Sequence, residues 1–296
     1  METRSAITAR ARPAGWRAEV RRFWPLIKSS QTGLLLATGL AGYFTVRCPI
    51  THVPTLGGLA GSLFLTISAS TILNMWYDRD LDARMARTAH RPLPSGAVRP
   101  EEAQRLGLAL AVFGLAWALL LSPLYAAIVF AGLFLDVVVY TIWLKRRTPW
   151  SIVWGGFSGG MPILAGRALG LGQIDWIGLV LARAVLFWIP THIMTFSMRC
   201  FADYRAAGIP TFPQRYGFAT TRAVIALSSV LAAVSIGLAA FGVGITWGCL
   251  RVLIVLSIGL LGLAFGSLTS PSERVNFGLF KYASIYMLSA MLLLIL

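Results

Sequence analysis

The chain has 296 residues, 57% of them hydrophobic and only 12% charged, with a mean hydropathy of +0.72 and a formal net charge of +15. A water-soluble domain carries about twice that charged fraction. The apolar residues also come in long runs without period-two alternation, which excludes a strand barrel and leaves a polytopic helical membrane protein.

Residues 1–28 form a basic N-terminal segment with no apolar core, so they are not a secretory signal. An organellar transit peptide shares their Arg-rich, acid-poor character. The plainer reading is a cytoplasmic segment whose Trp16, Val20, Phe23 and Trp24 lie on the membrane surface. Residues 29–296 are expected to form a single transmembrane domain. Apolar runs bounded by charge, Pro or Gly place spans at 29–46, 57–75, 105–121, 124–143 and 151–170. Four more fall at 176–198, 221–241, 246–267 and 276–296. Cys48, Cys200 and Cys249 are isolated, so neither a zinc site nor a disulfide framework is indicated.

With the N-terminus in the cytoplasm, 22 of the 26 lysines and arginines fall on the cytoplasmic side. The positive-inside rule therefore puts the C-terminus outside. Topology accounts for the basic excess without nucleic acid. Arg47 and Arg167 fall towards the outer side, and Arg183 and Arg251 lie within or near spans. The length and the short basic head favour a prokaryotic plasma membrane. Loops 76–104 and 199–220 follow spans 2 and 6, and each sets an acid motif before a proline-bearing turn: DRDLD then RPLPSG, ADY then GIPTFP. This pattern suggests an internal duplication of a four-helix unit.

The chain has eleven acidic residues, and Asp78, Asp80 and Asp82 fall within five positions. On a helix, Asn74, Asp78 and Asp82 share a face at i, i+4 and i+8, whereas Asp80 points towards the flanking arginines. Two carboxylates and an amide carbonyl suit Mg²⁺, which usually shares its shell with water and phosphate oxygens. The plain alternative is a solvated face on which these acids pair with Arg79, Arg84, Arg87 and Arg91. Acids surrounded by cations at the mouth of an apolar bundle suit a diphosphate with a lipid tail.

N-x-x-x-D-x-x-x-D followed by RTAHRPLPSG at 87–96 resembles the first signature of the UbiA prenyltransferase superfamily. YTIWLKRRTP at 140–149, GGFSGGMPILAG at 155–166 and H-x₁₀-DYRAAGIP from His192 to Pro210 resemble its protoheme-farnesylating branch, the haem O synthases. The resemblance implies an all-α integral membrane bundle of nine transmembrane helices, with a central cavity opening to the cytoplasm. It implies transfer of a farnesyl group from an isoprenyl diphosphate to a vinyl carbon of protoheme IX, the haem being substrate and not resident cofactor. Asn74, Asp78 and Asp82 would hold Mg²⁺ on the diphosphate. Arg87, Arg91, Lys145 and Arg146 would take up its charge, with Tyr140 nearby. Membrane lipid and the assembly machinery of terminal oxidases are the further partners implied. Other acceptors in the superfamily are aromatic acids, quinone precursors, chlorins and lipids.

Several positions depart from the pattern or leave two readings open. A second D-x-x-x-D is replaced by Arg199-Cys200-Phe201-Ala202-Asp203, so Asp203 would hold a second Mg²⁺ or Arg199 would bind phosphate directly. PTHI at 190–193 and PT at 210–211 stand where the haem branch tends to read PPHF and PM. His192 is either a packing residue within its span or a haem contact. Asp136 and Arg183 lie inside spans, and the favoured reading is a structural pair between them, the sharper one a place for Asp136 in the acceptor pocket. Trp150, Trp154 and Trp188 read as anchors or packing residues. A transporter using Asp136, Arg183 and His192 as a polar path is the rival from another class. It leaves N-x-x-x-D-x-x-x-D beside RPLPSG unexplained.

Overall fold

The computed structural model describes residues 15–46 and 52–296, so Arg47, Cys48 and residues 1–14 of the basic head lie outside the described residues. The described part is helical. A short amphipathic helix, α1 (Trp16–Phe23), leads through a 3₁₀ turn (Trp24–Ile27) into α2 (Ser29–Phe44) and α3 (Val53–Tyr77). The six-residue α4 (Arg79–Arg84) precedes α5 (Pro100–Leu121) and α6 (Pro123–Phe134). A π-helical stretch, Leu135–Leu144, continues α6. Then come α7 (Ser151–Leu171), α8 (Trp176–Arg199), the six-residue α9 (Phe201–Ala206) and α10 (Phe212–Val243). The last two are α11 (Trp247–Thr269) and α12 (Glu273–Ile295).

The helix starts are written in the sequence. Ser122, Asp175, Thr246 and Ser272 each accept a backbone N–H from the first turn of the helix they open. Prolines follow the caps of α5, α6 and α10, where their missing N–H costs nothing. Gly217, with φ 79° and ψ 168°, interrupts α10 after its opening turn, so its long apolar part runs from residue 218 to Val243, close to the 221 read from hydropathy.

Among the described residues, seven helices are long and apolar enough to cross a membrane: α3, α5, α6 with its π continuation, α8, α10, α11 and α12. Two of the nine expected spans, α2 and α7, fall short of that standard. The reason is physical. α2 has only 16 residues, and α7 carries Pro162, Arg167 and glycines at its buried positions. The two pack on each other backbone to backbone, so they need less apolar side chain than a helix facing lipid. A β-carbon at Gly166 would lie 1.9 Å from the Gly39 carbonyl oxygen, and one at Gly42 would lie 2.1 Å from that of Ile163.

The expected duplication has a structural counterpart. α3, the short α4 and α5 run in the same order as α8, the short α9 and α10, and α3 packs on α5 as α8 packs on α10. Polar side chains tie the bundle where hydrocarbon offers no other partner. Asn276 on α12 donates to the Thr195 carbonyl on α8 at 2.9 Å, and the Trp188 indole donates to the Ala283 carbonyl at 2.7 Å. At the α7–α8 turn, Arg167 grips Asp175 through two hydrogen bonds of 2.8 Å and reaches the Thr45 carbonyl at 3.0 Å.

Candidate active site

α3 ends at Tyr77, and Asp78 leaves helical geometry at φ −89°, ψ 9° before α4 begins. The i to i+4 ladder nevertheless runs through the junction. The Asp78 N–H donates to the Asn74 carbonyl at 2.9 Å and the Asp82 N–H to the Asp78 carbonyl at 2.8 Å. Asn74, Asp78 and Asp82 therefore stay on one side and line a common cavity of about 850 Å³. Arg87, Arg91, Tyr140 and Lys145 line it too, as does His192 farther in. Leu63, Ile67, Val129, Met161 and Ile189 supply apolar wall. The volume lies in the upper part of the range of about 300–1,000 Å³ usual for organic ligands.

The two carboxylates are each 4% exposed and each is met by cations. Asp78 pairs with Lys145 through one oxygen, and Arg146 lies 3.6 Å from the other. Asp82 accepts from Arg91 with both oxygens, at 2.9 and 3.0 Å. Burial pulls the Lys145 ammonium down, but Tyr140 and Asp78 beside it outweigh that and hold it above its ordinary value. Asp80 stands apart. It is half-exposed and takes a two-pronged contact from Arg146 at 2.7 and 2.8 Å, whose hydrogen bonds hold its carboxyl below the usual carboxylate range.

Asp136 does not pair with Arg183, as depth alone suggested. It accepts from the Ser70 hydroxyl and from the Asn74 amide N–H at 2.8 Å, while Arg183 lies 3.3 Å from the Ser235 hydroxyl. The cause is the π register, in which residues five apart share a face. Asp136 and Thr141 point together at Asn74, and the Thr141 hydroxyl donates to the Asn74 side-chain amide oxygen, Oδ1, at 2.7 Å. Tyr140 and Lys145, also five apart, come together 5.6 Å from ring centre to ammonium. One irregular turn thus fixes the orientation of the Asn74 amide and delivers Lys145 to Asp78.

The second acid motif is arranged differently. Asp203 lies 3.8 Å from the Arg87 guanidinium, which sits against the rings of Phe196 and Tyr204. Asp203, Arg146 and Arg199 are not part of the cavity wall. Arg199 is exposed and stacks on Phe277 at 3.9 Å, so the structure does not bring it to the acids. His192 is sandwiched between Trp188 and Phe280, at 5.0 and 4.6 Å between ring centres, with its Nδ1 3.2 Å from the Ser284 hydroxyl. It is at once packed and on the cavity wall. Trp188 is buried, whereas Trp150 and Trp154 are exposed.

Two cavity residues escaped the sequence reading. Tyr204 was visible only as a letter within DYRAAGIP, and burial pushes its phenol up. Lys28 looked like one more cytoplasmic charge before a span, and nothing local marked it as facing the cavity.

Among the described residues no three carboxylate, histidine or cysteine side chains gather, so a metal here would rest on two carboxylates, an amide carbonyl and outside oxygens. Asp78 Oδ1 is buried without a hydrogen-bond partner. Arg146, 3.6 Å away, makes an ion-pair contact but no hydrogen bond with it, so this buried oxygen keeps a lone pair for a hard cation. The residues fit the ion.

Fold and site together define a helical membrane protein whose cavity gathers acids and cations at one end and apolar walls beyond them. The sequence pattern of the UbiA prenyltransferase family matches residues 35–285. The chain belongs to that family, and it is a prenyltransferase, not a transporter. It is 40% identical over 220 residues to the protoheme IX farnesyltransferase of Archaeoglobus fulgidus, an alignment covering 71% of this chain and 77% of that one. It is 35% identical over 272 residues to the protein of the same name from Thermofilum pendens, covering 88% and 93%. Among solved structures, a digeranylgeranylglyceryl phosphate synthase superposes with a TM-score of 0.78 at 18% identity, over 94% of this chain and 97% of the other. A UbiA homologue from Archaeoglobus fulgidus bound to GPP and Mg²⁺ superposes with a TM-score of 0.70 at 14% identity, covering 92% and 99%. These two likenesses establish the fold.

Proposed function

We propose that this protein transfers a farnesyl group from farnesyl diphosphate to a vinyl carbon of protoheme IX, giving haem O. The observation that carries the acceptor is the run of relatives named protoheme IX farnesyltransferase, 35–40% identical over most of the chain. The position of His192 on the cavity wall is consistent with a haem contact.

Asn74, Asp78 and Asp82 would hold Mg²⁺, which supplies Lewis-acid stabilisation of the departing diphosphate. A UbiA homologue of the same fold from A. fulgidus is bound to GPP and Mg²⁺, which supports a divalent metal beside the prenyl donor. Here the mouth acids and cations neutralise each other. A metal–diphosphate pair brings both signs at once, so each acid and each cation gains an opposite partner without leaving a bare buried charge. Lys145, Arg91 and Arg87, which line the cavity, take up the phosphate charge as the bond from the allylic carbon to oxygen breaks, while Arg146 stays on Asp80 off the cavity wall. The vinyl carbon then forms the new carbon–carbon bond. Water captures the resulting cation and releases one proton, leaving a hydroxyethylfarnesyl group. The apolar walls keep bulk water from the allylic cation, and Tyr140 and Phe196 offer aromatic faces to it. Asp203 holds Arg87 in this structure and stays the candidate for a second Mg²⁺.

Residues 29–296 act as one domain in this reading, and α2 and α7 cross the membrane as the eighth and ninth spans. The mouth opens to the cytoplasm, with the N-terminus inside and the C-terminus outside, in a prokaryotic plasma membrane. In purified protein with farnesyl diphosphate and Mg²⁺, protoheme IX should stimulate diphosphate release. An aromatic acid or quinone precursor should not, and stimulation by one of these instead would assign the chain to another acceptor.

A further inference from the structure

The cations that the sequence pattern marks at the mouth already have carboxylate partners: Lys145 and Arg146 have Asp78 and Asp80, Arg91 has Asp82, and Arg87 has Asp203. Lys28 is different. It lines the same cavity, yet among the described residues no carboxylate lies within ion-pair distance of its ammonium. Its backbone has φ 45° and ψ 63°, and it is the one non-glycine residue with positive φ among those described. A β-carbon resists that conformation, which glycine adopts freely. Its carbonyl accepts from the Gln31 and Thr32 N–H groups at 2.9 and 3.1 Å, which anchors the backbone, while its ammonium is left on the cavity wall; an observed outlier of this kind is a pointer to function.

Its electrostatic setting agrees. Burial, then repulsion from Arg91 and Lys145, outweighs attraction from Asp82 and Asp136 and brings the ammonium down to about 8. Lys28 also opens α2, whose N-terminus has no side-chain cap and whose Ser30 and Gln31 line the cavity. A crowded cation and an uncapped helix start both call for an anion from outside the chain.

We propose that Lys28, together with the N-terminus of α2, binds the diphosphate of the prenyl donor. This adds a contact from an element to which none of the other anion-binding residues belongs. A bound diphosphate would relieve the repulsion among Lys28, Arg91 and Lys145, and the strained backbone is what turns the side chain to the cavity. The assignment rests on the prenyltransferase reading and is independent of the acceptor.

The test uses the purified full chain with inorganic pyrophosphate and Mg²⁺, measured by calorimetry, alongside melting temperature and steady-state kinetics. In Lys28→Gly, pyrophosphate affinity should fall at least about tenfold, the loss of one charge-assisted hydrogen bond, while the melting temperature holds or rises because the strain is gone. Lys28→Met should lose the same affinity, Lys28→Arg should keep more of it, and KM for the prenyl donor should rise with KM for the acceptor unchanged. Unchanged affinity in Lys28→Gly and Lys28→Met, or loss only in step with a fall in melting temperature, overturns the proposal. A wild-type protein that binds pyrophosphate but ignores protoheme would refute the acceptor and leave this assignment standing.

Discussion

Asp78→Asn and Asp82→Asn are each expected to lower turnover of the prenyl diphosphate by about 10²–10³-fold, the scale of losing one group that stabilises transition-state charge. Both substitutions keep the shape of the side chain and remove the charge that a metal needs. Asp78 carries the orphaned buried oxygen, and Asp82 offers two oxygens to Arg91. Asp80→Asn is the internal control. Its carboxylate is half-exposed and bound to Arg146 outside the cavity wall, so activity should stay within about threefold of wild type, as for an exposed pair worth under 1 kcal/mol. Diphosphate release measured across the three variants at saturating Mg²⁺ separates them. Full activity in both Asp78→Asn and Asp82→Asn would remove the metal assignment.

Gly166→Ala is expected to cost about 1–3 kcal/mol or more of stability, the range for overpacking a tight core, with most of the loss falling at the α2–α7 crossing. The added carbon would lie 1.9 Å from the Gly39 carbonyl oxygen, 2.9 Å from its carbon and 3.1 Å from the Tyr43 nitrogen. All three are backbone atoms, which cannot rotate away as a side chain would. Gly262 on α11 has nothing within 4 Å of the corresponding position. Gly262→Ala should therefore be neutral or stabilising by about 0.5–1 kcal/mol, as for a glycine replaced within a helix. Thermal unfolding in one detergent compares the pair. Equal melting temperatures for Gly166→Ala and wild type would mean that the two helices are not in backbone contact.

The metal face was legible because it depends on a local spacing. Asn74, Asp78 and Asp82 keep their common side even though the helix breaks at Asp78, since the i to i+4 hydrogen bonds persist across the break. Asp136 lines the cavity, as its sharper reading had it, but its partners were not legible. A pattern of 3.6 residues per turn puts Asp136 and Thr141 on different faces, and only the π register aims both at Asn74. Depth in the membrane correctly marked Asp136 as needing a partner but named the wrong one. Lys28 was hidden for a related reason. Its left-handed backbone turns a routine basic residue before a span into part of the cavity wall, and sequence does not announce positive φ in a lysine. Arg199 shows the reverse. Its position in the motif suggested phosphate binding, whereas the helix turn it occupies sets it on Phe277 at the surface. α2 and α7 were read as spans from their boundaries, and both fall short of the length or apolarity of the other seven because their glycines pack backbone on backbone.

The most direct measurement is the mass of haem extracted after incubating the purified full chain with protoheme IX, farnesyl diphosphate and Mg²⁺. The expected result is a haem heavier by one farnesyl and one hydroxyl group, absent when EDTA replaces Mg²⁺ and nearly absent in Asp82→Asn. Unmodified haem alongside prenylation of another acceptor would contradict the proposed function.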